Sequence, residues 1–305
     1  MRTIILTPVY NDWESLRQLK IEIKAHLPDN SYSLMVVDDG STTIPNAEDF
    51  VDCKIIALNQ NQGHQRAIAV GLCYIQDQME EDIRSIVVMD SDGEDKPSDI
   101  IKILSKCSKS GSVVFASRLR RQETLIFKFL YVIYKELFKI LVGQNITFGN
   151  FCAIPIDKLS KITSNPDLWN HFSGSIIKSK INFNIHKCDR GARYAGKSKM
   201  NLVSLIIHGL SSISIQLEVV AVRIMMLSAV LGSFVFIAFT SIIIVRVTTD
   251  WLVPGWTSIS LILLILLTIS VFGISMLFCL SILISRNTMK LPPISFYRNF
   301  INFMA

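Results

Sequence analysis

Two carboxylates, those of Asp90 and Asp92, stand two residues apart where the apolar run Ile86–Met89 ends. The run is short and bounded by charged residues, so it predicts a buried strand. Side chains two residues apart in an extended backbone project the same way, and both carboxylates would therefore point at one place. A divalent cation between them would relieve their repulsion, and Mg²⁺ takes its other ligands from phosphates and water. The pattern indicates a cation and phosphate site; the alternative is a solvated acidic turn helped by Gly93.

Polar residues also follow other apolar runs, which predict further strands. The predicted strands are Ile4–Leu6, Leu34–Val37, Lys54–Leu58, Ile86–Met89 and Val113–Ala116. Apolar residues at helical spacing predict helices between them, beginning near Asp12, Gln65 and Pro97. Nearly continuous apolar strands that alternate with helices favour an α/β fold, with a mainly parallel sheet covered on both faces. Such sheets bind ligands at the carboxyl ends of their strands, so Tyr10, Asp38, Asp39 and Asp92 are expected to converge on one crevice.

Composition limits the partners that this chain can have. The 305 residues carry a net charge of +6, and no nucleic-acid-binding motif accompanies the basic residues. A membrane surface or a phosphorylated ligand is therefore the expected anionic partner, and nucleic acid is not. The six cysteines are scattered without a Cys-x-x-Cys pair, which predicts reduced thiols in a reducing compartment. The first apolar run is too short for a signal peptide.

The chain is almost wholly apolar between about Val219 and Ile284. Two segments of this stretch, 224–245 and 259–284, are each long enough to cross the hydrocarbon core of a bilayer. The connection between them holds little positive charge besides Arg246, whereas the chain on either side holds most of the lysines and arginines. By the positive-inside rule, both termini are expected in the cytoplasm, with the protein in the inner (plasma) membrane.

Two amphipathic helices are predicted before these spans, near 124–142 and 200–217. In the first, Lys128, Lys135 and Lys139 form one stripe on an otherwise apolar surface. Such a helix can lie in a bilayer interface with its lysines toward anionic head groups. An ordinary buried helix with a solvated edge gives the same pattern. The predicted organisation is a domain over 1–218 that includes these helices, a two-helix membrane region over 219–286 and a cytoplasmic tail over 287–305.

Four motifs occur in order at the predicted strand ends. They are Pro8-Val9-Tyr10-Asn11, Asp38-Asp39-Gly40-Ser41, Asn59-Gln60-Asn61-Gln62-Gly63 and Asp90-Ser91-Asp92. Together they resemble the inverting family 2 glycosyltransferases of the GT-A fold. The segment from Arg193 to Lys199, with the two spans, resembles the polyprenyl-phosphate glycosyltransferases, which include dolichol-phosphate mannose synthases and bacterial undecaprenyl-phosphate enzymes. The resemblance covers essentially the whole chain. It implies that one sugar moves from a nucleotide sugar, expected to be UDP-linked, to a polyprenyl phosphate for cell-envelope glycan synthesis or modification.

The resemblance also assigns roles to the motif residues. It implies a Mg²⁺ or Mn²⁺ ion at Asp90 and Asp92, which would neutralise charge on the leaving diphosphate. Tyr10 would offer a ring face to the base, and Asp39 or Asp38 would accept a base N–H. The implied nucleotide-sugar site comprises Pro8, Tyr10, Asn11, Asp38, Asp39, Gly40, Asn61, Gly63, Arg66, Asp90 and Ser91.

The acceptor phosphate is expected to meet basic residues. The candidates are Arg118 and Arg121 after the fifth strand, and Arg193, Lys197 and Lys199 before the membrane region. For each of them, a solvated surface cation is the alternative. The oxygen of a lipid phosphate is already anionic at neutral pH, so positioning and charge screening would do most of the work. The resemblance also suggests a homo-oligomer.

One position departs from the family. Relatives usually carry an acidic residue in a Thr-Gly-Asp-Phe-type segment, where this chain has Asn150 between Gly149 and Phe151. Either the acceptor phosphate needs no base, or Asp95 or Glu94 serves as one, or the acceptor differs. The expected catalytic residues are Asp92, Asp95, Asn150 and Arg118. Two alternatives stay open: transfer to a lipid-linked sugar or other envelope precursor, and an inactive membrane scaffold that binds a nucleotide sugar.

Overall fold

The structure is a computed structural model that describes residues 2–78, 82–118, 136, 139–143, 148–195, 210–211, 213–249, 255–288 and 290–302. Several predictions lie outside these residues: the roles of Arg121, Lys197 and Lys199 and most of the two amphipathic helices. Of Arg118 only the backbone is described, so its predicted role also stays a prediction.

A seven-stranded sheet forms the centre of the first part of the chain. Its strands are β1 (Arg2–Val9), β2 (Tyr32–Asp38), β3 (Cys53–Ala57), β4 (Ile83–Val88), β5 (Val113–Arg118), β6 (Cys152–Pro155) and β7 (Phe183–Cys188). The spatial order is β3-β2-β1-β4-β6-β5-β7. Strand β6 is antiparallel to both its neighbours, and the other pairs are parallel. The predicted α/β fold with a mainly parallel sheet is confirmed, while β6 and β7 were not predicted from the sequence.

Helices cover both faces of this sheet. They are α1 (Trp13–His26), α2 (His64–Asp77), α3 (Ile100–Ser110), α4 (Ile156–Thr163) and α5 (Phe172–Lys178). Successive strand residues point to opposite faces, so Leu6 packs in a cluster with α2 while Ile5 packs in a second cluster with α1 and α3. This two-sided burial explains why the strands are nearly continuous apolar runs.

The register of the strands brings the polar motifs to one edge of the sheet. Val9 pairs with Asp38, and Asp38 pairs with Ala57, so β1, β2 and β3 end side by side. Leu6 pairs with Val88, which places the end of β4 beside them. The four motifs found in the sequence therefore begin at neighbouring strand ends.

Two long apolar helices, α6 (Leu217–Thr248) and α7 (Trp256–Asn287), follow the sheet domain. Each has 32 residues, or about 48 Å at 1.5 Å per residue, which exceeds the roughly 30 Å hydrocarbon core of a bilayer. In their most apolar windows 0% and 6% of the residues are buried, unlike the core helix of a soluble protein. Both helices could therefore span a membrane. The hydroxyls of Ser228 and Ser275 form a hydrogen bond between them.

The chain divides into two compact units. One combines the sheet domain with the tail that begins at Lys290, and the other combines α6 and α7 with the short segment that includes residues 139–143. In the tail, two short 3-10 turns, Pro293–Ser295 and Tyr297–Phe300, precede an antiparallel bridge between Ile301 and Leu58. The predicted boundaries at 218 and 286 stay predictions, but the tail is packed as a part of the sheet domain.

Candidate active site

Asp39, at the end of β2, fixes the loop that connects β3 to α2. One of its carboxylate oxygens accepts the backbone N–H of Gln62 at 2.7 Å, and the other accepts that of Gly63 at 2.9 Å. The residue is only 3% exposed. Burial raises the pKa of Asp39, although the two backbone hydrogen bonds act to lower it. Asp39 was expected to accept an N–H from a nucleotide base, and its present bonds give it a second task, which is to shape the loop around that base.

Gly40 allows this loop to approach the end of β2. Its φ is +70°, and a Cβ atom there would lie 2.6 Å from the backbone of both Gln60 and Asn61. A side chain would force the two loops apart, so this close backbone contact is possible only with glycine.

Asn11 joins the first and second motifs. Its side-chain oxygen accepts the backbone N–H of Thr42 at 2.9 Å and of Thr43 at 3.1 Å, and its own N–H donates to the Ser41 hydroxyl at 2.8 Å. Its φ of 49° is in the left-handed region, where asparagine is more tolerated than most residues. The neighbouring Tyr10 is 41% exposed at the strand ends. Asn11 thus holds the turn after β2 against the end of β1.

The turn after β4 holds its acids in different environments. One oxygen of Asp92 accepts the backbone N–H of Glu94 at 3.0 Å, while the second lies 3.4 Å from the Arg193 guanidinium. Burial and the nearby charge of Asp90 raise the pKa of Asp92, and Arg193 partly opposes them. Asp95 is 3% exposed, and its carboxylate accepts the backbone N–H of Asp90 at 3.1 Å. This burial favours a positioning role for Asp95 over the role of a base that the sequence suggested.

His64 and Asn150 lie next to these acids. The Nε2 atom of His64 is 3.2 Å from a carboxylate oxygen of Asp90 and 2.9 Å from the side-chain nitrogen of Asn150. The Asn150 oxygen accepts from Gln65 at 3.3 Å and from the Ser173 hydroxyl at 3.5 Å. Asn150 therefore reaches the site as predicted by its position, and its oxygen is held by Gln65 and Ser173. The Nε2 atom of His64 either donates to Asp90 or accepts from Asn150, because one ring nitrogen cannot do both.

The pKa of His64 is raised in this setting. Loss of hydration is the largest single influence on this pKa and acts to lower it, but the negative charges of Asp90, Asp39 and Asp92 and the hydrogen bond with Asp90 together raise it. His64 was not predicted from the sequence; its place directly after the glycine of the third motif was the available signal. Gln65 and Ser173 had no such signal, because they reach Asn150 only through the fold.

The segment 190–194 lies directly on the turn after β4. Gly191 donates its backbone N–H to the Glu94 carbonyl at 2.9 Å, and Tyr194 donates to the Asp92 carbonyl at 2.9 Å. Arg190 forms an ion pair with Glu94 at 2.6 Å. An open groove of about 530 Å³ borders this segment on the side of α1. The basic segment predicted to hold a lipid phosphate thus meets the turn predicted to hold a cation.

Gly93 is necessary for this contact. Its φ is +87°, and a Cβ atom there would lie 2.7 Å from the ring of Tyr194.

Three other residues predicted for the nucleotide-sugar site have different surroundings. Pro8 is inside β1, Ser91 is 8% exposed within the acidic turn, and the Arg66 guanidinium lies 5.4 Å from the ring centre of Trp169.

Comparison with known proteins identifies relatives of this chain. Residues 4–160 match the family model described as Glycosyl transferase family 2. An uncharacterized glycosyltransferase of Synechocystis is 24% identical over 86% of this chain and 84% of its own length. An undecaprenyl-phosphate 4-deoxy-4-formamido-L-arabinose transferase of Enterobacter is 26% identical over 66% of this chain and 64% of its own length. An uncharacterized glycosyltransferase of Bacillus subtilis is 34% identical, over 41% of this chain and 39% of its own length. The chain thus covers less than two-thirds of the Enterobacter and Bacillus relatives.

Solved structures share the fold. A mycobacterial protein superposes with a TM-score of 0.53 and 15% identity over 72% of this chain and 74% of its own. Glucosyl-3-phosphoglycerate synthase of Mycobacterium tuberculosis, in complex with Mn²⁺, UDP-glucose and phosphoglyceric acid, superposes with a TM-score of 0.51 and 14% identity over 72% of this chain and 79% of its own. At these identities the likeness concerns the fold alone.

Proposed function

The chain belongs to glycosyl transferase family 2, and we propose that it transfers one sugar from a nucleotide sugar, UDP-linked, to a polyprenyl phosphate at the cytoplasmic face of a membrane. The observation that carries this proposal is the contact between the segment 190–194 and the turn after β4. Arg193, whose guanidinium lies 3.4 Å from Asp92, belongs to a basic segment that precedes two helices long and apolar enough to cross a membrane. A donor site and a basic segment suited to a lipid phosphate therefore adjoin.

The donor half of the proposal rests on the strand-end loops. Asp39 and Gly40 hold the Asn59–Gly63 loop close to the end of β2, and Asn11 holds the Ser41–Thr43 turn against the end of β1. These contacts leave Tyr10 exposed between two fixed loops, where its ring can stack on a base. A protein of the same fold binds UDP-glucose with Mn²⁺, which supports a UDP-linked donor.

The chemistry of the acidic turn suits a divalent cation. Among the residues that the structure describes, no group of three or more His, Cys, Asp or Glu side chains is placed to hold a metal. Asp90 and Asp92 offer carboxylate oxygens, which is what Mg²⁺ or Mn²⁺ needs when a diphosphate and water supply its other ligands. A cation bound there would neutralise the charge that develops on the leaving diphosphate. The present residues therefore fit the implied metal.

A phosphate acceptor would explain why asparagine, in place of an acidic residue, is compatible with transfer at position 150. A sugar hydroxyl must lose a proton when it attacks, whereas a phosphate monoester oxygen is already anionic at neutral pH. Asn150 has no carboxylate to serve as a base, and its side chain is engaged by His64 and Gln65. The protein would then act by positioning the acceptor oxygen and by screening the charges of two phosphate groups with Arg193 and its neighbours.

The path of the chain supports two crossings of the membrane. The sheet domain leads into α6, and after α7 the chain returns to the sheet domain at Lys290. A sheet domain and tail in one compact unit must lie on the same side of a membrane, so two crossings fit and one does not. With the positive charge concentrated in this unit, we propose that both termini face the cytoplasm from the inner membrane.

Transfer can be measured directly with the purified full-length protein in detergent. Undecaprenyl phosphate is incubated with a panel of UDP- and GDP-sugars and Mg²⁺ or Mn²⁺, and the lipid product is weighed by mass spectrometry. We expect a single hexose on one lipid phosphate and at least about a 100-fold loss of rate for Asp92→Asn, equivalent to about 2.7 kcal/mol. Undiminished transfer by Asp92→Asn in the presence of a chelator would contradict the cation's role.

The same assay separates the alternatives. A product that forms only when a lipid-linked sugar is supplied would support the second acceptor class. Nucleotide binding without transfer to either lipid would support an inactive scaffold. Glu48→Gln is a suitable control, because Glu48 is exposed in the 3-10 turn Ala47–Phe50 and carries no proposed role.

A further inference from the structure

The tail that follows the last apolar helix pairs with the edge of the central sheet. Asn302 donates its backbone N–H to the carbonyl of Ala57 at 2.8 Å, and Asn59 donates its N–H to the carbonyl of Phe300 at 2.9 Å. Strand β3 is the outermost strand on this side of the sheet. The tail therefore takes up hydrogen-bonding groups of an edge at the point where β3 ends.

Side chains anchor the tail independently of this backbone pairing. Tyr297 is 2% exposed, and its hydroxyl donates to a carboxylate oxygen of Asp77 at 2.6 Å. Arg298 donates to the same oxygen. Hydrogen bonds from Tyr297 and Arg298 lower the pKa of Asp77. Asp77 is the last residue of α2, so the tail is tied to the end of α2 as well as to the edge of the sheet.

The paired strand end continues directly into the proposed nucleotide loop. Asn59 is bonded to the tail through its backbone N–H and through its side-chain nitrogen, which donates to the Asn299 carbonyl at 3.0 Å. Three residues later, Gln62 and Gly63 donate to Asp39. The loop is therefore held at its start by the tail and at its end by Asp39.

A second route leads from the tail to the same site through aromatic rings. Trp169 packs against Phe296 and Phe300, with ring centres 5.0 Å and 4.8 Å apart. The Arg66 guanidinium lies over the same Trp169 ring, 5.4 Å from its centre. Arg66 stands in the first turn of α2, immediately after the nucleotide loop. The tail rings thus support the ring on which Arg66 rests.

We infer that the tail is a positioning element of the donor site: residues 296–302 hold the Asn59–Gly63 loop and Arg66 in the arrangement that binds the nucleotide. This role rests on the proposed donor site and adds a requirement to it. Asn302 and Phe300 are positioning residues, because they act through the loop and through Trp169. The segment that follows the two apolar helices thereby supports a loop of the sheet domain that precedes them.

The backbone pairing can be tested with two substitutions at one position. Asn302→Pro removes the N–H that bonds to Ala57, whereas Asn302→Ala removes the side chain and keeps that N–H. Hydrogen exchange of the full-length protein in detergent reports the opening of the loop without any ligand. We expect the amides of Gln62 and Gly63 to lose at least about tenfold protection in the proline variant, and less than twofold in the alanine variant.

Donor binding is measured on the same proteins by calorimetric titration with UDP and with GDP in the presence of Mn²⁺. The nucleotide that the wild-type protein binds should bind about five- to tenfold more weakly to Asn302→Pro, and within twofold of wild type to Asn302→Ala. In the transfer assay the donor KM should rise by a similar factor, while kcat at saturating donor stays within twofold.

Substitutions of Phe300 and Tyr297 test the side-chain contacts of the tail separately from its backbone pairing. Phe300→Ala should raise the donor KM about three- to tenfold, and Phe300→Leu, which retains apolar bulk, should recover part of this loss. Tyr297→Phe removes the hydrogen bond to Asp77 and keeps the ring, so it should lower the thermal midpoint. A purely structural tail predicts instead that Phe300→Ala also lowers only the thermal midpoint and leaves the donor KM unchanged.

The outcomes separate this role from the proposed transfer. If Asn302→Pro matches Asn302→Ala in both exchange and nucleotide affinity, and Phe300→Ala leaves the donor KM unchanged, the positioning role is wrong. If the wild-type protein binds a nucleotide but glycosylates no polyprenyl phosphate, the proposed acceptor is wrong, and the exchange and titration results still decide the role of the tail. A wild-type protein that binds neither UDP nor GDP overturns both.

Discussion

Replacing Asp39 with asparagine is expected to loosen the loop between β3 and α2. In the wild-type protein each carboxylate oxygen accepts one backbone N–H, from Gln62 at 2.7 Å and from Gly63 at 2.9 Å. An asparagine side chain has only one acceptor oxygen, so its NH₂ group would face the second backbone N–H. Two donors would then meet at a position that is 3% exposed.

The size of the effect follows from the bonds that are changed. A hydrogen bond to a charged group contributes about 1.5–3 kcal/mol, and a buried donor without a partner costs about 1–3 kcal/mol. The other bond survives in a weaker, neutral form, and relaxation of the loop recovers part of the loss, which leaves roughly 2–4 kcal/mol. At 1.4 kcal/mol per tenfold change, the protection of the Gln62 and Gly63 amides against exchange should fall about 30- to 700-fold. Nucleotide affinity should fall by at most the same factor.

Asp38 supplies the matched control. It accepts a single backbone N–H, from Ser41 at 2.9 Å, and the oxygen of an asparagine can keep that bond. Asp38→Asn should therefore change loop protection less than about fivefold, since only the charge on one bond is lost. Both variants are measured by hydrogen exchange and by titration with UDP and Mn²⁺. Equal effects of the two substitutions, or unchanged protection in Asp39→Asn, would show that the two hydrogen bonds to Asp39 do not hold the loop.

Three further substitutions examine other parts of the protein. Gly93→Ala should reduce transfer at least about tenfold with little change in nucleotide affinity, because the new Cβ would lie 2.7 Å from the Tyr194 ring and displace the segment over the acidic turn; comparable losses of binding and transfer would disagree with this. Asn150→Asp should slow transfer roughly tenfold or more, since a new carboxylate at this position would repel the anionic phosphate groups of donor and acceptor; faster transfer would show that the acceptor does need a base. Ser228→Ala should destabilise the pair of apolar helices by about 0.6 kcal/mol in a detergent unfolding titration, and adding Ser275→Ala should cost nothing more, because one shared hydrogen bond is lost in either case.

The order of polar motifs along the sequence was enough to predict the fold and the edge of the sheet on which the site lies. Apolar runs such as Ile86–Met89 have the length and continuity of buried strands, and a parallel sheet places the ends of such strands together. The two apolar helices could also be predicted from the sequence, because a helix that crosses a hydrocarbon core requires about 20 consecutive apolar residues. Strand β7 was missed, since most of its residues alternate between exposed and half-buried positions, and among the described strands it pairs with β5 alone.

The partners of the site residues came from the tertiary structure alone. Asp39 bonds to a loop 24 positions away, Asn150 to a histidine 86 positions away, and Asn59 to the tail 240 positions away. The sequence by itself determined which residues stand at strand ends, because strand length and hydrophobic pattern are local properties. Which oxygen accepts which N–H depends on how loops from different strands pack, and that is set by the whole sheet and by the return of the tail. For this reason the sequence identified Asp39, Asp92 and Asn150 as candidates, while the structure shows that Asp39 holds the loop before α2, that Asn150 bonds to Gln65, and that the tail bonds to Ala57 and Asn59.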